Sequence, residues 1–454
     1  MCPVVLLALL FSFLLLLLEL TAAINVTFYP AAVKKLMEDE EQRIYFSINS
    51  EKSDSHPDER FYKAISYNPD IASVTNETYF NTKSSNGTFT VRGNFLGKTE
   101  IFLQKVVNGT AKDNPKDSSN SLKVSVVRRV KAISHAFTAS VAILVSLNYI
   151  NMGCALDLCV VQSVLRKPIA PAIGFISQYA AMPLVAYGLA RLLFDDVILQ
   201  LGLFTFGCSP GGGASNMWTV LLNGNLNLSL TMTFISNLAA LGMMPLWLFT
   251  LGRSLFSEIA TEVPVKNILL SLVSMLIPLG IGLCFQKWLP RVARFCRRIL
   301  APVSVFMILF IIAFGTYANL YMFKLFTWRI VVAASANVWL GFLFGTIISK
   351  AFDLSLPDII TVAVETGVQN TGIAIVLLGF SLGQPEADLA AVVPVAASIM
   401  TPFPLLCVYL FLRVRNLYFP TIQESRLYVM DDEEEKKTLP SLDSSSSVMS
   451  SKVL

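Results

Sequence analysis

The chain has 454 residues, of which 54% are hydrophobic and only 15% charged, against roughly 25% charged in an ordinary soluble domain. Its apolar residues fall in blocks of about 20 or more, the length that crosses roughly 30 Å of hydrocarbon, so the composition excludes an ordinary soluble fold and reads as a polytopic membrane protein in contact with lipid. A formal net charge of +4 gives no sign of a nucleic-acid partner, and two histidines with seven scattered cysteines argue against a transition-metal centre; neither an enzyme activity nor a cofactor is expected.

Residues 1–23 carry an apolar run from Val4 to Leu18 followed by Thr21-Ala22-Ala23, the pattern of a secretory signal peptide with a small-residue cleavage site. The lack of a basic residue before the run, and Glu19 after it, leave a retained first membrane helix as the alternative. On either reading the next segment lies outside the cytosol. Residues 24–128 are polar and hold four Asn-X-Ser/Thr sequons, at Asn25, Asn76, Asn86 and Asn108, which predicts an extracellular N-glycosylated domain. Alternation at Ile44/Phe46/Ile48, Phe89/Val91 and Leu122/Val124/Val126 predicts short strands and a small β-sandwich, held by its apolar core because the segment has no cysteine. Asn227-Leu228-Ser229 also matches a sequon but falls among membrane segments, where glycosylation is not expected.

Residues 129–415 contain nine apolar segments, roughly 133–155, 168–193, 196–222, 226–250, 266–289, 298–322, 328–350, 357–380 and 388–413. With the first domain outside, nine spans put the tail in the cytoplasm. The distribution of basic residues agrees: the expected inner loops hold Arg166 and Lys167, then Lys287, Arg291, Arg294, Arg297 and Arg298, while two outer loops carry Asp195/Asp196 and Glu386/Asp388. The tail, 416–454, holds Asp431-Asp432-Glu433-Glu434-Glu435 and a serine run from Ser444 to Ser447, a composition that predicts disorder.

Two membrane segments are interrupted. The first contains Cys208-Ser209-Pro210-Gly211-Gly212-Gly213-Ala214-Ser215-Asn216 and the second Val364-Glu365-Thr366-Gly367-Val368-Gln369-Asn370-Thr371-Gly372. Glycine alone is explained by close helix packing, but Pro-Gly-Gly-Gly breaks the backbone ladder, and freed carbonyls at membrane depth are tolerated only against protein or a water-filled cavity. Two broken segments are the sequence pointer to a secondary transporter's ion site. Glu365 sits about eight residues inside its span, where an unpaired carboxylate costs several kcal/mol and needs a cation. Candidate counter-charges are Arg191, a proton, or a hard monovalent ion; the neutral oxygens of Ser215, Asn216, Ser229, Thr233, Thr366 and Gln369 favour the last, and sodium in particular. Ser229 and Thr233, at i and i+4, face one side of a helix, and a back-bond to the preceding turn is the other role open to each. Gln178 lies deep in an apolar stretch and is either a ligand or a helix–helix tie.

Those two runs, with Gln178 and Met182-Pro183 and the stretch from Leu228-Ser229 to Met243-Met244-Pro245, resemble the sodium/bile acid cotransporter family over about residues 133–413. The exported domain resembles the ectodomain-bearing members. The resemblance implies an all-α membrane fold of inverted repeats in which nine spans form a panel and a core, and two broken helices cross. It implies one sodium site at Ser215, Asn216, Ser229, Thr233 and Glu365, and a second at Gln178, Glu365, Val368 and Gln369, with Thr366 beside them. It also implies substrate contacts near Gly213 and Asn370, the former being Thr in many family members. The function expected is Na⁺-coupled symport of an amphipathic organic anion, such as a bile acid or sulfated steroid, at the plasma membrane. A receptor or adhesion protein on a transporter scaffold, and a proton-coupled anion carrier, are the alternatives.

Overall fold

The computed structural model describes residues 25–49, 61–75, 80–81, 86–107, 110–111, 120–129, 132–258, 265–310, 313–314, 317 and 320–418. The expected signal peptide, Asn76, Asn108 and the acidic and serine-rich tail lie outside the described residues.

The alternating segments of the N-terminal region form two sheets. One runs in the order β1 (Asn25–Tyr29), β3 (Glu41–Asn49), β7 (Asn86–Gly93) and β5 (Ala72–Val74), all antiparallel. The other runs β2 (Ala32–Met37), β10 (Leu122–Val127), β8 (Gly97–Val107), β4 (Phe61–Ser66) and β6 (Phe80–Asn81), with β9 (Thr110–Ala111) on β8 and a parallel β2–β10 pair. Period-2 patterning sends Ile44, Phe46, Phe89 and Val91 inward from the first sheet and Ile101, Leu103, Leu122, Val124 and Val126 from the second, and these fill one shared core. Phe28 and Phe89 meet edge to face with centroids 6.3 Å apart. Asn86 is exposed at the start of β7, as a glycan acceptor must be, and Asn25 opens β1.

Beyond β10 the chain is helical: α1 (Ala132–Ala155), α2 (Leu158–Leu165), α3 (Ile169–Leu193), α4 (Val197–Gly207), α5 (Ala214–Leu221), α6 (Leu226–Phe249), α7 (Leu251–Glu258), α8 (Val265–Trp288), α9 (Pro290–Phe310), α10 (Leu320–Leu325), α11 (Trp328–Ala351), α12 (Leu356–Gly367), α13 (Thr371–Ser381), α14 (Glu386–Met400) and α15 (Pro402–Tyr418). Among the described residues, four continuous helical stretches are long and apolar enough to cross a bilayer, 169–193, 226–249, 328–351 and 386–415, and α1 with α2 adds a bent pair with a 73° break. The expected segments 196–222 and 357–380 are each split into two short helices, α4/α5 and α12/α13, because Pro-Gly-Gly-Gly and Gly-Val-Gln-Asn interrupt the hydrogen-bond ladder.

Packing gathers most of these helices into two groups, which meet where α8 packs on α13 and on α6. The helix α1 packs chiefly on α8 and α9, whereas α3, α4, α11, α12, α13 and α14 pack on one another. The α1–α8 crossing is so close that a Cβ on Gly153 would stand 2.4 Å from the Leu279 carbonyl oxygen, and one on Gly282 2.2 Å from that of Ile150. Gly282→Leu is therefore expected to push the pair apart at a cost of about 1–3 kcal/mol or more. Gly280, with nothing within 4 Å of its Cβ position, is the matched control, and thermal stability of the purified chain separates the two.

The sandwich is seated on this helical body. Lys98 of β8 pairs with Glu386, and Arg128, just past β10, pairs with Asp388 at 3.6 Å; both acids lie in the first turn of α14, where a helix N-terminus favours negative charge. The Arg128 guanidinium also lies 4.2 Å above the Tyr321 ring.

Candidate functional site

The site is built where the two broken helices meet. Pro210 ends the first ladder and leaves Gly211 and Gly212 extended beside the break after Gly367, so that Gly211 and Gln369 form an antiparallel bridge. The Gly212 amide donates to the Val368 carbonyl at 2.8 Å and the Asn370 amide to the Pro210 carbonyl at 2.9 Å. Only glycine fits: a Cβ on Gly212 would lie 2.7 Å from the Gln369 carbonyl oxygen. This crossover gathers four helix ends, the C-termini of α4 and α12 and the N-termini of α5 and α13, whose N-cap residues are Gly213 and Asn370. Carbonyl-rich and amide-rich ends, with partial charges of opposite sign, thus share one place in the protein.

Glu365, 3% exposed, points from the last turn of α12 into a cluster of hydroxyls. Its Oε1 accepts from Ser215 at 2.6 Å and Ser229 at 2.5 Å, and its Oε2 from Thr233 at 2.9 Å. Asn216 Oδ1 joins them, 2.9 Å from the Ser229 hydroxyl and 3.5 Å from that of Thr233. The two roles open to Thr233 coincide, since the same hydroxyl lies 2.9 Å from the Ser229 carbonyl one turn back. No described Lys or Arg pairs with Glu365; Arg191, the sequence candidate, is bound to Glu258 at 2.7 Å instead. Three neutral donors contribute about 1.5–3 kcal/mol each, but a desolvated carboxylate stays costly without an opposite charge. The cluster therefore offers one negative charge and several hard neutral oxygens to a cation.

A second cluster lies across the same crossover. A π-helical turn at Ser177–Ala181 in α3 rotates Gln178 toward the breaks, where its Nε2 donates to the Ser209 carbonyl at 2.7 Å and to Gln369 Oε1 at 2.8 Å. Pro183, with no N–H, leaves the Tyr179 carbonyl free of its helical partner, and the Trp247 indole takes it at 2.6 Å. Gln369 Nε2 donates to the Thr366 carbonyl at 3.1 Å, while the Thr366 hydroxyl turns back onto Val362 at 2.7 Å, so Thr366 offers this cluster its backbone oxygen. Val368 likewise enters through its carbonyl. A narrow cavity is lined by Glu365 of the first cluster and Gln178 of the second, with Tyr179, Gly211 and Ser236.

All nine residues expected to bind the ion thus converge on the crossover, as do Gly213 and Asn370. Sequence reasoning missed Ser209, Thr219, Ser236 and Asn237. Ser236 Oγ accepts from the Gly211 amide at 2.9 Å, and Thr219 donates to Ser229 at 3.2 Å. A signal for two of them was present: Ser236 and Asn237 continue the Ser229/Thr233 face of α6 at i+7 and i+8. Ser229→Ala should leave Asn216 Oδ1 and Glu365 short of a shared donor, lowering apparent Na⁺ affinity about tenfold in a ²²Na⁺ binding assay, the scale of one hydrogen bond to a charged group.

Comparison with known proteins agrees with this geometry. Residues 142–326, which hold the first broken helix and α6, match the Sodium Bile acid symporter family. The human P3 protein is 29% identical over 251 residues, 55% of this chain and 53% of that protein, so the chain spans about half the length of this relative. The human ileal sodium/bile acid cotransporter is 30% identical over 271 residues, covering 59% of this chain and 76% of its own length. The mouse sodium/bile acid cotransporter 5 is 25% identical over 377 residues and covers 81% of this chain. The chain is a multi-pass membrane protein and belongs to the sodium/bile acid symporter family.

Proposed function

We propose that the chain is a Na⁺-coupled symporter of an amphipathic organic anion, with Na⁺ as the coupling ion and no other cofactor. The observation that carries this reading is the buried carboxylate of Glu365, held by three hydroxyls at a crossing of two broken helices and lacking an ion pair among the described residues. One Na⁺ lies among Ser215, Asn216, Ser229, Thr233 and Glu365; the other lies between Glu365, Gln178, Gln369 and the backbone carbonyls of Thr366 and Val368. Both ions draw the two breaks together and fix the N-terminal ends of α5 and α13, against which the anion is held near Gly213 and Asn370.

The nine apolar segments are nine spans related by inverted repeats, with residues 24–128 outside, a cytoplasmic 416–454 tail, and the plasma membrane as the site of action. The α1–α8–α9 group and the α3, α4 and α11 to α14 group, each packed chiefly within itself and meeting where α8 touches α13, support a panel that stays still and a core that moves. With two Na⁺ per monovalent anion, one net charge enters. At about −60 mV this contributes roughly 1.4 kcal/mol, and a tenfold Na⁺ gradient adds about 1.4 kcal/mol per ion. The sum of about 4.2 kcal/mol sustains roughly a thousandfold accumulation of the anion.

The test is uptake of a panel of labelled bile acids, steroid sulfates and simpler organic anions in cells expressing the chain, with Na⁺ and with choline replacing it. Sodium-dependent, electrogenic uptake of at least one anion is expected. Uptake that ignores Na⁺ but follows pH would assign the same carboxylate to proton coupling. Binding of a protein partner through residues 24–128 with no uptake at all would assign the molecule to recognition.

A further inference from the structure

Adjacent residues of α1 reach across to both half-helix N-termini at the crossover. A Cβ on Gly213, the N-cap of α5, would lie 2.8 Å from Asn148 Nδ2, so the missing side chain is the space that Asn148 uses. Tyr149, 4% exposed, places its hydroxyl 2.6 Å from Asn370 Nδ2, on the N-cap of α13, and 3.5 Å from Asn237 Oδ1. Asn370 is fixed by its other atom, since its Oδ1 accepts from the Ile373 amide at 3.1 Å and leaves the NH₂ group to face α1. Asn237 is 4% exposed, and its Nδ2 makes no hydrogen bond among the described residues. A buried amide N–H without an acceptor costs about 1–3 kcal/mol and marks a place where an acceptor belongs.

We propose that Asn148 and Tyr149 of α1, with Asn237 of α6, form the subsite that binds the anionic head of the substrate against the N-termini of α5 and α13. The inference rests on the symport reading and adds to it the residues that meet the charged group. The set suits an anion because it combines amide and hydroxyl donors with the positive ends of two helices, and among the described residues no carboxylate hydrogen-bonds Tyr149, Asn237 or Asn370. It also suits an anion that must leave again, because neutral donors hold a sulfate or carboxylate less tightly than an Arg fork would. In the structure the phenol accepts from Asn370 and donates to Asn237 Oδ1; on binding its O–H turns from Asn237 to the substrate oxygen, and Asn370 and Asn237 donate beside it. Since Tyr149 stands in the α1–α8–α9 group and Asn370 caps α13 of the other group, the substrate head replaces a contact between the two.

The experiment is equilibrium binding of a tritiated steroid sulfate, and of the matching steroid carboxylate, to the purified full chain in nanodiscs at saturating Na⁺, with ²²Na⁺ binding measured in parallel. Tyr149→Phe and Asn148→Ala are each expected to weaken binding of the sulfate about tenfold with ²²Na⁺ binding retained. Gly213→Val acts by displacing the same Asn148 amide, so the Gly213→Val/Asn148→Ala double variant should lose little more than either single one. Retained steroid affinity in Tyr149→Phe and Asn148→Ala overturns the subsite and leaves the symport reading standing. Wild-type protein that binds ²²Na⁺ but neither steroid anion overturns the symport reading and the subsite with it. A ratio of sulfate to carboxylate affinity that shifts in Asn148→Ala assigns head-group selectivity to this amide. If Gly213→Val does not fold, as absent ²²Na⁺ binding would report, the two milder variants decide the matter alone.

Discussion

Glu365→Gln is expected to abolish Na⁺-dependent anion uptake, by at least about a hundredfold, while leaving the protein folded and at the cell surface. Glutamine keeps the shape of the side chain and one acceptor oxygen, and the hydroxyls of Ser215, Ser229 and Thr233 can each rotate to donate or accept, so the local hydrogen bonds survive. What disappears is the negative charge. A Na⁺ transferred from water into this cluster then meets only neutral dipoles, and the attraction that offsets its dehydration is gone. Because Glu365 shares one cavity with Gln178 of the second cluster, the single change is expected to weaken both proposed ion sites together. Thermal unfolding gives a second readout. An ion that binds only the folded protein stabilises it by about 1.4 kcal/mol at ten times its dissociation constant, so the wild type should melt higher in Na⁺ than in choline. The Glu365→Gln variant should melt at one temperature in both, and no lower than the wild type in choline, since an uncompensated buried charge has been removed. Uptake at the wild-type rate in this variant, still driven by Na⁺, would sink the coupling role.

Much of this site is legible in the sequence because membrane depth makes polar residues conspicuous. Glu365, Gln178 and the Ser229/Thr233 pair stand out against apolar surroundings, and each has its side chain or a close partner at the crossover. The strands are legible for a similar reason: alternation at Ile44/Phe46 or Leu122/Val124/Val126 needs one buried face, and the sandwich provides it. Less legible is anything that depends on one helix approaching another. Tyr149 and Asn148 look like interior residues of an apolar helix until α1 is set beside Gly213 and Asn370. Thr366 shows the converse limit, since its residue type offers a neutral oxygen without saying which one, and helix geometry turns its hydroxyl to Val362 and presents the carbonyl instead. The ion pairs of Lys98 and Arg128 with the first turn of α14 join residues about 290 and 260 positions apart, and no local pattern encodes such a pairing.

Gly212→Val is expected to have the second large effect, and by a different route. The two breaks are held face to face by the amide of Gly212 on the Val368 carbonyl and the amide of Asn370 on the Pro210 carbonyl. A Cβ at position 212 would stand 2.7 Å from the Gln369 carbonyl oxygen and 3.1 Å from its carbon, and these are backbone atoms with no rotamer to yield. The chains must part, which strains or breaks both ties and moves Gln369 away from Gln178. Overpacking of about 1–3 kcal/mol and two hydrogen bonds of about 0.5–1.5 kcal/mol each add to roughly 2–6 kcal/mol, a large share of a marginal stability. The expected outcome is a sharp fall in the melting temperature of the solubilised chain and loss of Na⁺-dependent uptake in whatever reaches the surface. Gly379→Ala, within α13 beyond the second break and with nothing within 4 Å of its Cβ position, should change neither. Gly211→Ala is the informative intermediate: its Cβ would lie 3.3 Å from Glu365 Oε2, a contact the carboxylate can relieve by turning. That variant should fold, and its cost should fall on Na⁺ affinity rather than on stability, because the group displaced is the carboxylate shared by the two proposed ion sites.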